Sequence, residues 1–238
     1  MSKTRWIIFA VVCVLVLAGL VFLVNRNRVN VSDVDANTII AASEGSLGDN
    51  VYGNKDAKVI LFEYGDFQCP SCGGAYSQIK AVKEQYKDKI AFVFRNLPLT
   101  SIHPNALAAA SAAEAAGRQG KFWEMHDQLY ENQNSWSNAS TDQRGSIFEQ
   151  YAAAIGLDMA RYQTDLTSKE VTEKIARDRG LANKLKLSAT PSILINGEKM
   201  DDETVQDLVQ GDGAKLKAKL DTQLKAAGVE PPKATTEE

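Results

Sequence analysis

The sequence predicts an α/β domain interrupted by a block of helices and preceded by one helix long enough to cross a membrane. Three observations carry that expectation. Residues 58–97 run as a short apolar, β-branched and aromatic stretch, an amphipathic stretch opened by Pro70, and a second apolar stretch, which is the order strand, helix, strand. Residues 101–187 then carry helical periodicity without strand runs, and Asn196-Gly197 between two short extended segments marks a return to β structure. Ahead of all this, residues 6–24 (WIIFAVVCVLVLAGLVFLV) contain no charge.

The 19 residues of that uncharged run make about 28 Å of helix, against a hydrocarbon core of roughly 30 Å. The run ends on Phe22, Leu23 and Val24 and not on the small residues that signal cleavage needs, so it reads as an uncleaved anchor. Cys13 lies mid-run behind Val12, where lipoprotein processing would want a small residue, and serves as an apolar filler. Lys3 and Arg5 face Arg26 and Arg28 across the run, a balance that does not orient it. Residues 25–50 are polar and rich in Ser, Asp, Asn and Gly, the composition of a flexible tether. The folded unit is expected over residues 51–228, and residues 229–238, with Pro231, Pro232 and two terminal glutamates, as a frayed, disordered tail.

Composition narrows the function classes. A chain of 238 residues with 44% hydrophobic and 24% charged residues is globular and holds one or two domains. A net charge of -3, without a basic stripe, removes nucleic acid as the leading partner. No repeat or low-complexity block is present.

Within the folded unit, residues 58–67 (KVILFEYGDF) predict a buried strand and residues 90–97 (IAFVFRNL) a second. Residues 70–87 predict the helix between them. Proline is tolerated in a first turn because its missing donor is one of the helix's orphans, and Ala75, Ile79, Val82 and Tyr86 recur at helical spacing. Such a βαβ unit closes with a right-handed crossover. Helices follow over residues 105–116, 121–130, 143–155 and 168–187, then the hairpin, then an amphipathic helix carrying Leu216, Leu220 and Leu224.

The chemistry centres on Cys69 and Cys72. Three residues apart at a helix start, they share one face of the first turn, close enough for a reversible disulfide. Unpaired amides and the helix dipole favour a thiolate at Cys69, and the thiolate is the nucleophile of disulfide exchange. Each unit of pKa depression favours the reduced form by about 1.4 kcal/mol, or roughly 30 mV. Half of a zinc site is the competing reading, but His103 and His126 lie far from the pair without ligand spacing, so no metal and no cofactor are expected. An inert structural bridge is disfavoured because so short a loop constrains the unfolded chain little. Glu63, a single carboxylate in an apolar strand, falls on the face of Val59 and Leu61. Buried, it would have a raised pKa and could take the Cys72 proton; on an edge strand it would be an ordinary solvated residue. Thr190-Pro191 precedes an apolar strand and is compatible with either isomer.

Read in order, FEYGDFQCPSCGGAY, IHPNALAAASAAEAAG, GKFWEMHDQLY and TPSILINGEKM resemble the DsbA-like thiol:disulfide oxidoreductases of the thioredoxin superfamily. The likeness covers most of residues 51–228 and implies a thioredoxin fold with a helical insertion at about residues 101–187. It also implies that Cys69 is the attacking thiolate, Cys72 the resolving thiol, Glu63 a buried proton relay and Pro191 a cis-proline facing the pair, with Pro70, Ser71 and Thr190 modulating the site. Ser71 departs from the strongest oxidants of the family, which place a histidine between the cysteines. His103 and His126 are expected to cap or pack, and Phe122, Trp123 and Trp136 to line a core or groove. Asn138-Ala139-Ser140 matches a glycosylation acceptor, a weak signal alone.

With the uncharged run of residues 6–24 as the tether, the resemblance implies an enzyme that donates its disulfide to reduced, unfolded extracytoplasmic proteins and is reoxidised by a membrane-embedded partner. A monomer is expected. Residues 1–5 are placed in the cytoplasm, because an oxidant acts only where glutathione and thioredoxin do not at once reduce its products. A reductase or isomerase of the same fold is one alternative, and a tethered substrate-binding or chaperone-like module another. No dimerisation domain of the kind isomerases use is visible, which tilts the choice to oxidase.

Overall fold

The computed structural model describes residues 3–26 and 29–233. Helix α1 (Lys3–Arg26) comes first, with Trp6, Ile7, Ile8 and Phe9 exposed. Among the described residues no helix is long and apolar enough to cross a membrane. The side chains of residues 20–24, the end of the expected span, lie outside the described residues.

The domain then runs β1 (Asn50–Gly53), β2 (Ile60–Gly65), α2 (Pro70–Tyr86) and β3 (Ala91–Asn96). The inserted helices follow as α3 (Ala106–Gly117), α4 (Phe122–Glu131), α5 (Gln133–Trp136), α6 (Thr141–Ala154), α7 (Met159–Asp165) and α8 (Lys169–Lys184). The chain closes with β4 (Ser192–Ile195), β5 (Glu198–Lys199), α9 (Asp202–Gln210) and α10 (Ala214–Ala226). The strands form one sheet in the order β1-β3-β2-β4-β5. β2 and β3 pair in parallel, as the βαβ expectation requires, whereas β4 is antiparallel to β2 and β1 antiparallel to β3.

Alternation along the strands divides the core. Leu61, Phe92, Ile193 and Ile195 meet Ala75, Ile79 and Val82 of α2 and the Leu216, Leu220, Leu224 stripe of α10. Phe62, Tyr64, Val93 and Leu194 cover the opposite face with Leu181 and Ala182 of α8. The insertion has its own core, in which the alanines of α3 let α4 approach closely, and this core runs on without a break to Phe67, Cys69 and Cys72. Local signals fix the boundaries: a reciprocal Ser140–Gln143 capping box starts α6, and Asp158, Ser168 and Asp201 cap α7, α8 and α9. The hairpin turn takes φ of 49° at Asn196 and 84° at Gly197, the left-handed pair that an Asn-Gly turn supplies.

The structure corrects the expected tether. Residues 29–50 lie against the α8 face of the sheet and are no free coil. Ala36 is buried, and Val31, Val34, Ile39 and Ile40 pack on the core of Phe62, Tyr64 and Leu181. Lys184 donates to the Ser32 and Val34 carbonyls at 2.8 Å. Arg95 on β3 donates to the Ala36 and Thr38 carbonyls and forms a fully buried ion pair with Asp49 at 2.7 Å. Lys174 extends the network to Asp178 (2.6 Å), Asp49 (3.6 Å) and Glu114 (3.7 Å). The scattered apolar residues of a polar-looking segment thus find a prepared surface, and Asp49 at its end finds a buried guanidinium. Removing one partner of a buried pair strands the other. Arg95→Met should therefore cost about 3–5 kcal/mol in urea unfolding and open residues 29–49 to proteolysis; a variant of wild-type stability would show that the network contributes nothing. At the other end, Val229 donates to the Leu224 carbonyl and packs on the sheet, so the expected frayed tail does not begin at residue 229. Residues 234–238 lie outside the described residues.

Candidate active site

β2 ends at Gly65, and the chain turns through Asp66, Phe67 and Gln68 into α2. Cys69 is the residue that caps the helix, with φ -67° and ψ 123°, and Pro70 takes the first helical position. The turn is closed by the Cys69 amide donating to the Asp66 carbonyl at 3.0 Å and the Gly73 amide donating to the Cys69 carbonyl at 3.1 Å. Both cysteines are thiols; Cys69 keeps slight solvent access and Cys72 has none. Pro70 and Ser71 are exposed between them.

The two thiols differ in acidity. Cys69 is held down to about 5, first by the hydrogen bond from the Cys72 thiol and then, against the opposing effect of burial, by the Thr190 hydroxyl and the amides of Cys72 and Ser71. The protonated thiol makes no capping hydrogen bond to the helix, so the amides act on the anion. Cys72 is pushed well above the ordinary thiol range by burial, by its hydrogen bond to Cys69 and by the charges of Cys69 and Glu63. The helix start, open to Cys69 and closed to Cys72, makes the pair unequal.

Thr190-Pro191 is a cis peptide bond. The Cys69 thiol donates to the Thr190 carbonyl at 3.4 Å. Beneath the pair, Glu63 sits mid-strand on β2 with Phe94 of β3 on one side and Ile193 of β4 on the other. Its burial pushes it up to about 8, opposed by the charge of Lys83. Lys83 is itself buried, over the rings of Trp123 (4.6 Å) and Tyr52 (4.8 Å) and 3.4 Å from the Asp127 carboxylate. The sequence left open whether Glu63 was buried or solvated; its place between two neighbouring strands settles that it is buried.

The histidines are held in structural contacts. His103 Nδ1 meets Asp66 Oδ2 at 2.7 Å, tying the loop after β3 to the turn before Cys69. His126 is buried among Phe67, Phe94, Trp123 and Tyr130, with Nδ1 2.9 Å from Asp127 Oδ1, and burial holds it down to about 4. Phe122 and Trp136 are core, and Trp123 is partly buried against it. Four polar residues that the sequence did not single out hold the redox turn: Asp66, Gln68, Asn105 and Gln133. Gln68 accepts from the Asn105 amide at 2.6 Å and donates to the Ser137 carbonyl at 2.6 Å, while the Asp66 carboxylate accepts from the Gln68 and Leu99 amides. Their partners lie at least thirty residues away for the most part, so no local pattern marks them; the one sequence trace is Gly73.

Solved structures share this architecture. A thioredoxin-like oxidoreductase from Silicibacter pomeroyi is 28% identical, with a TM-score of 0.54 over 71% of this chain and 92% of that one. BdbD from Bacillus subtilis (22% identical, TM-score 0.62, 79% of this chain and 98% of that one) and alpha-DsbA2 from Wolbachia pipientis (22% identical, TM-score 0.60, 74% and 87%) share the fold. Such a sheet, with its helical insertion and a dithiol at the start of α2, defines a thioredoxin-fold domain. The chain belongs to the thioredoxin family, whose sequence profile matches residues 46–211. Among curated relatives, it is 38% identical over 151 residues to Na(+)/H(+) antiporter NhaA 1 of Mycolicibacterium vanbaalenii, covering 63% of this chain and 23% of that protein. It is 36% identical over 173 residues to Na(+)/H(+) antiporter NhaA 3 of Salinispora tropica, covering 69% and 25%. The chain thus spans about a quarter of the length of these relatives.

Proposed function

We propose that this chain is a membrane-tethered, extracytoplasmic thiol:disulfide oxidoreductase that donates the Cys69–Cys72 disulfide to reduced, unfolded proteins. The observation that carries the reading is the inequality of the two thiols, one acidic and reachable, the other buried and held protonated. A substrate thiolate attacks Cys69 Sγ, the Cys69–Cys72 bond breaks, and Cys72 leaves as a thiol with a proton from Glu63. A second substrate thiolate then attacks the substrate sulfur of the mixed disulfide and releases the Cys69 thiolate, an easy leaving group because it is acidic. The substrate loses two electrons and the dithiol gains them. In reverse, Glu63 takes the Cys72 proton as Cys72 attacks Cys69. Pro191 and Thr190 face the pair and bound the space in which the substrate sulfur sits.

The tether reading rests on the uncharged run of residues 6–24, which continues past the described side chains, and on the likeness to a segment of proteins named as Na(+)/H(+) antiporters. With residues 29–50 packed on the domain, the dithiol would work close to the bilayer, within reach of emerging chains and of a membrane-embedded reoxidising partner. The test is stoichiometric: the oxidised full-length protein in mild detergent should form one disulfide in a reduced, unfolded model substrate per Cys69–Cys72 pair consumed, and Cys69→Ser should form none. A reduction potential near about -120 to -180 mV would agree with an oxidase, one near about -270 mV would make it a reductase, and absence of any transfer would leave a binding module.

A further inference from the structure

The Gln133 side chain reaches from the first turn of α5 to the redox turn. Its Nε2 donates to the Phe67 carbonyl at 2.7 Å and to the Cys69 carbonyl at 2.9 Å, so both amide hydrogens are spent on the residues that flank Gln68. The reversed amide would set Oε1 against two carbonyl oxygens, so the orientation is dictated by its partners. Oε1 instead lies over Gly73, where an added Cβ would overlap it. A side chain at residue 73 and this placement of Gln133 therefore exclude each other, which accounts for a glycine directly after Cys72. The Cys69 carbonyl is shared between Gln133 and the first helical hydrogen bond, from Gly73.

We infer that Gln133 is a positioning residue of the dithiol: by clamping the Phe67 and Cys69 carbonyls it holds the first turn of α2, and with it the amides at the helix start, in place against Cys69, and so sets how oxidising the pair is. The inference deepens the redox reading above and rests on it. The helix amides stabilise the thiolate only while the capping residue keeps its non-helical geometry. The clamp comes from the insertion and not from the sheet, so the inserted helices reach the Cys69 backbone through the Gln133 side chain. Gln133 touches neither sulfur, and its effect passes through the backbone of Cys69.

Full-length wild-type protein, Gln133→Met and Gly73→Ala are equilibrated with glutathione buffers, and Cys69 alkylation in the reduced proteins is followed against pH. Methionine keeps the length and loses the donors, and the Cβ that Gly73→Ala adds displaces the amide. Each variant should lower the equilibrium constant for reduction by glutathione about tenfold, equivalent to about 30 mV, and move the alkylation midpoint to higher pH. The double variant should shift no further than either single one, because one contact is being removed twice. Wild-type midpoints and equilibrium constants in Gln133→Met, even with a lowered melting temperature, would overturn the clamp, as would fully additive shifts in the double variant. A wild-type pair that does not exchange with glutathione would overturn the redox reading instead, and the alkylation midpoints, which need no exchange, would still decide the clamp.

Discussion

The reduced protein should gain stability over its disulfide form as pH rises from about 5 to about 9, by roughly 1.4 kcal/mol per unit. The Cys69 thiol is depressed from its ordinary value of 9.0 to about 5 in the folded protein, so between those limits the unfolded chain binds the proton that the folded chain has released. The contribution is complete above about pH 9, near half at pH 7, and lost as pH falls through about 5. Its full size is on the order of 5 kcal/mol. The disulfide removes the ionisable thiol and with it the whole effect, while its short loop returns only roughly 2 kcal/mol through the unfolded state. The pH slope of the difference is therefore the diagnostic, and Glu63, common to both forms, largely cancels from it. Urea unfolding of both forms at pH 5, 7 and 8.5 measures it. Parallel curves at all three values would mean that Cys69 is an ordinary thiol.

Glu63→Gln should stabilise the fold and slow the chemistry. A carboxyl raised to about 8 penalises folding once the unfolded carboxylate ionises. The penalty is absent below about pH 4, grows above the ordinary carboxyl value of 4.5 and is complete above about 8. Replacing the acid by its neutral isostere should relieve about 3 kcal/mol at pH 7 and almost nothing at pH 4. The amide cannot exchange a proton with Cys72, so resolution of a mixed disulfide should slow by about 10²-fold, and its rate should lose the rise through about pH 8. A variant that is both no more stable at pH 7 and as fast as wild type would return Glu63 to a passive place in the sheet. Gain of stability with loss of rate is the pattern expected where a strained, desolvated group is kept for its chemistry.

Much of the frame was legible from residue order alone, because the forces that set it are local. The period of Ala75, Ile79, Val82 and Tyr86 with Pro70 ahead of them specifies α2, Asn196-Gly197 specifies the hairpin turn, and Leu216, Leu220 and Leu224 specify the buried stripe of α10. The sites of the two cysteines at a helix start followed from the same signals. Strand β1 and helix α9 went unread, the first because a four-residue strand ending in Gly53 holds too little pattern, the second because its acidic cap and first turn hide Val205, Leu208 and Val209 among charges.

What tertiary structure alone decided is how deep each polar group lies, and that depends on strand order and on partners far along the chain. Glu63 became a buried acid because β3 and β4 flank β2 on either side, a neighbour relation that alternation within β2 does not contain. Residues 29–50 changed from a coil to a packed segment because Arg95, tens of residues away, offers a desolvated charge to Asp49. Gln133 reaches the redox turn because the insertion folds back upon it across more than sixty residues of chain. Hydrophobic period and capping act within a few residues and are written in the order of the chain, whereas desolvation and long-range hydrogen bonds exist only once the elements have met.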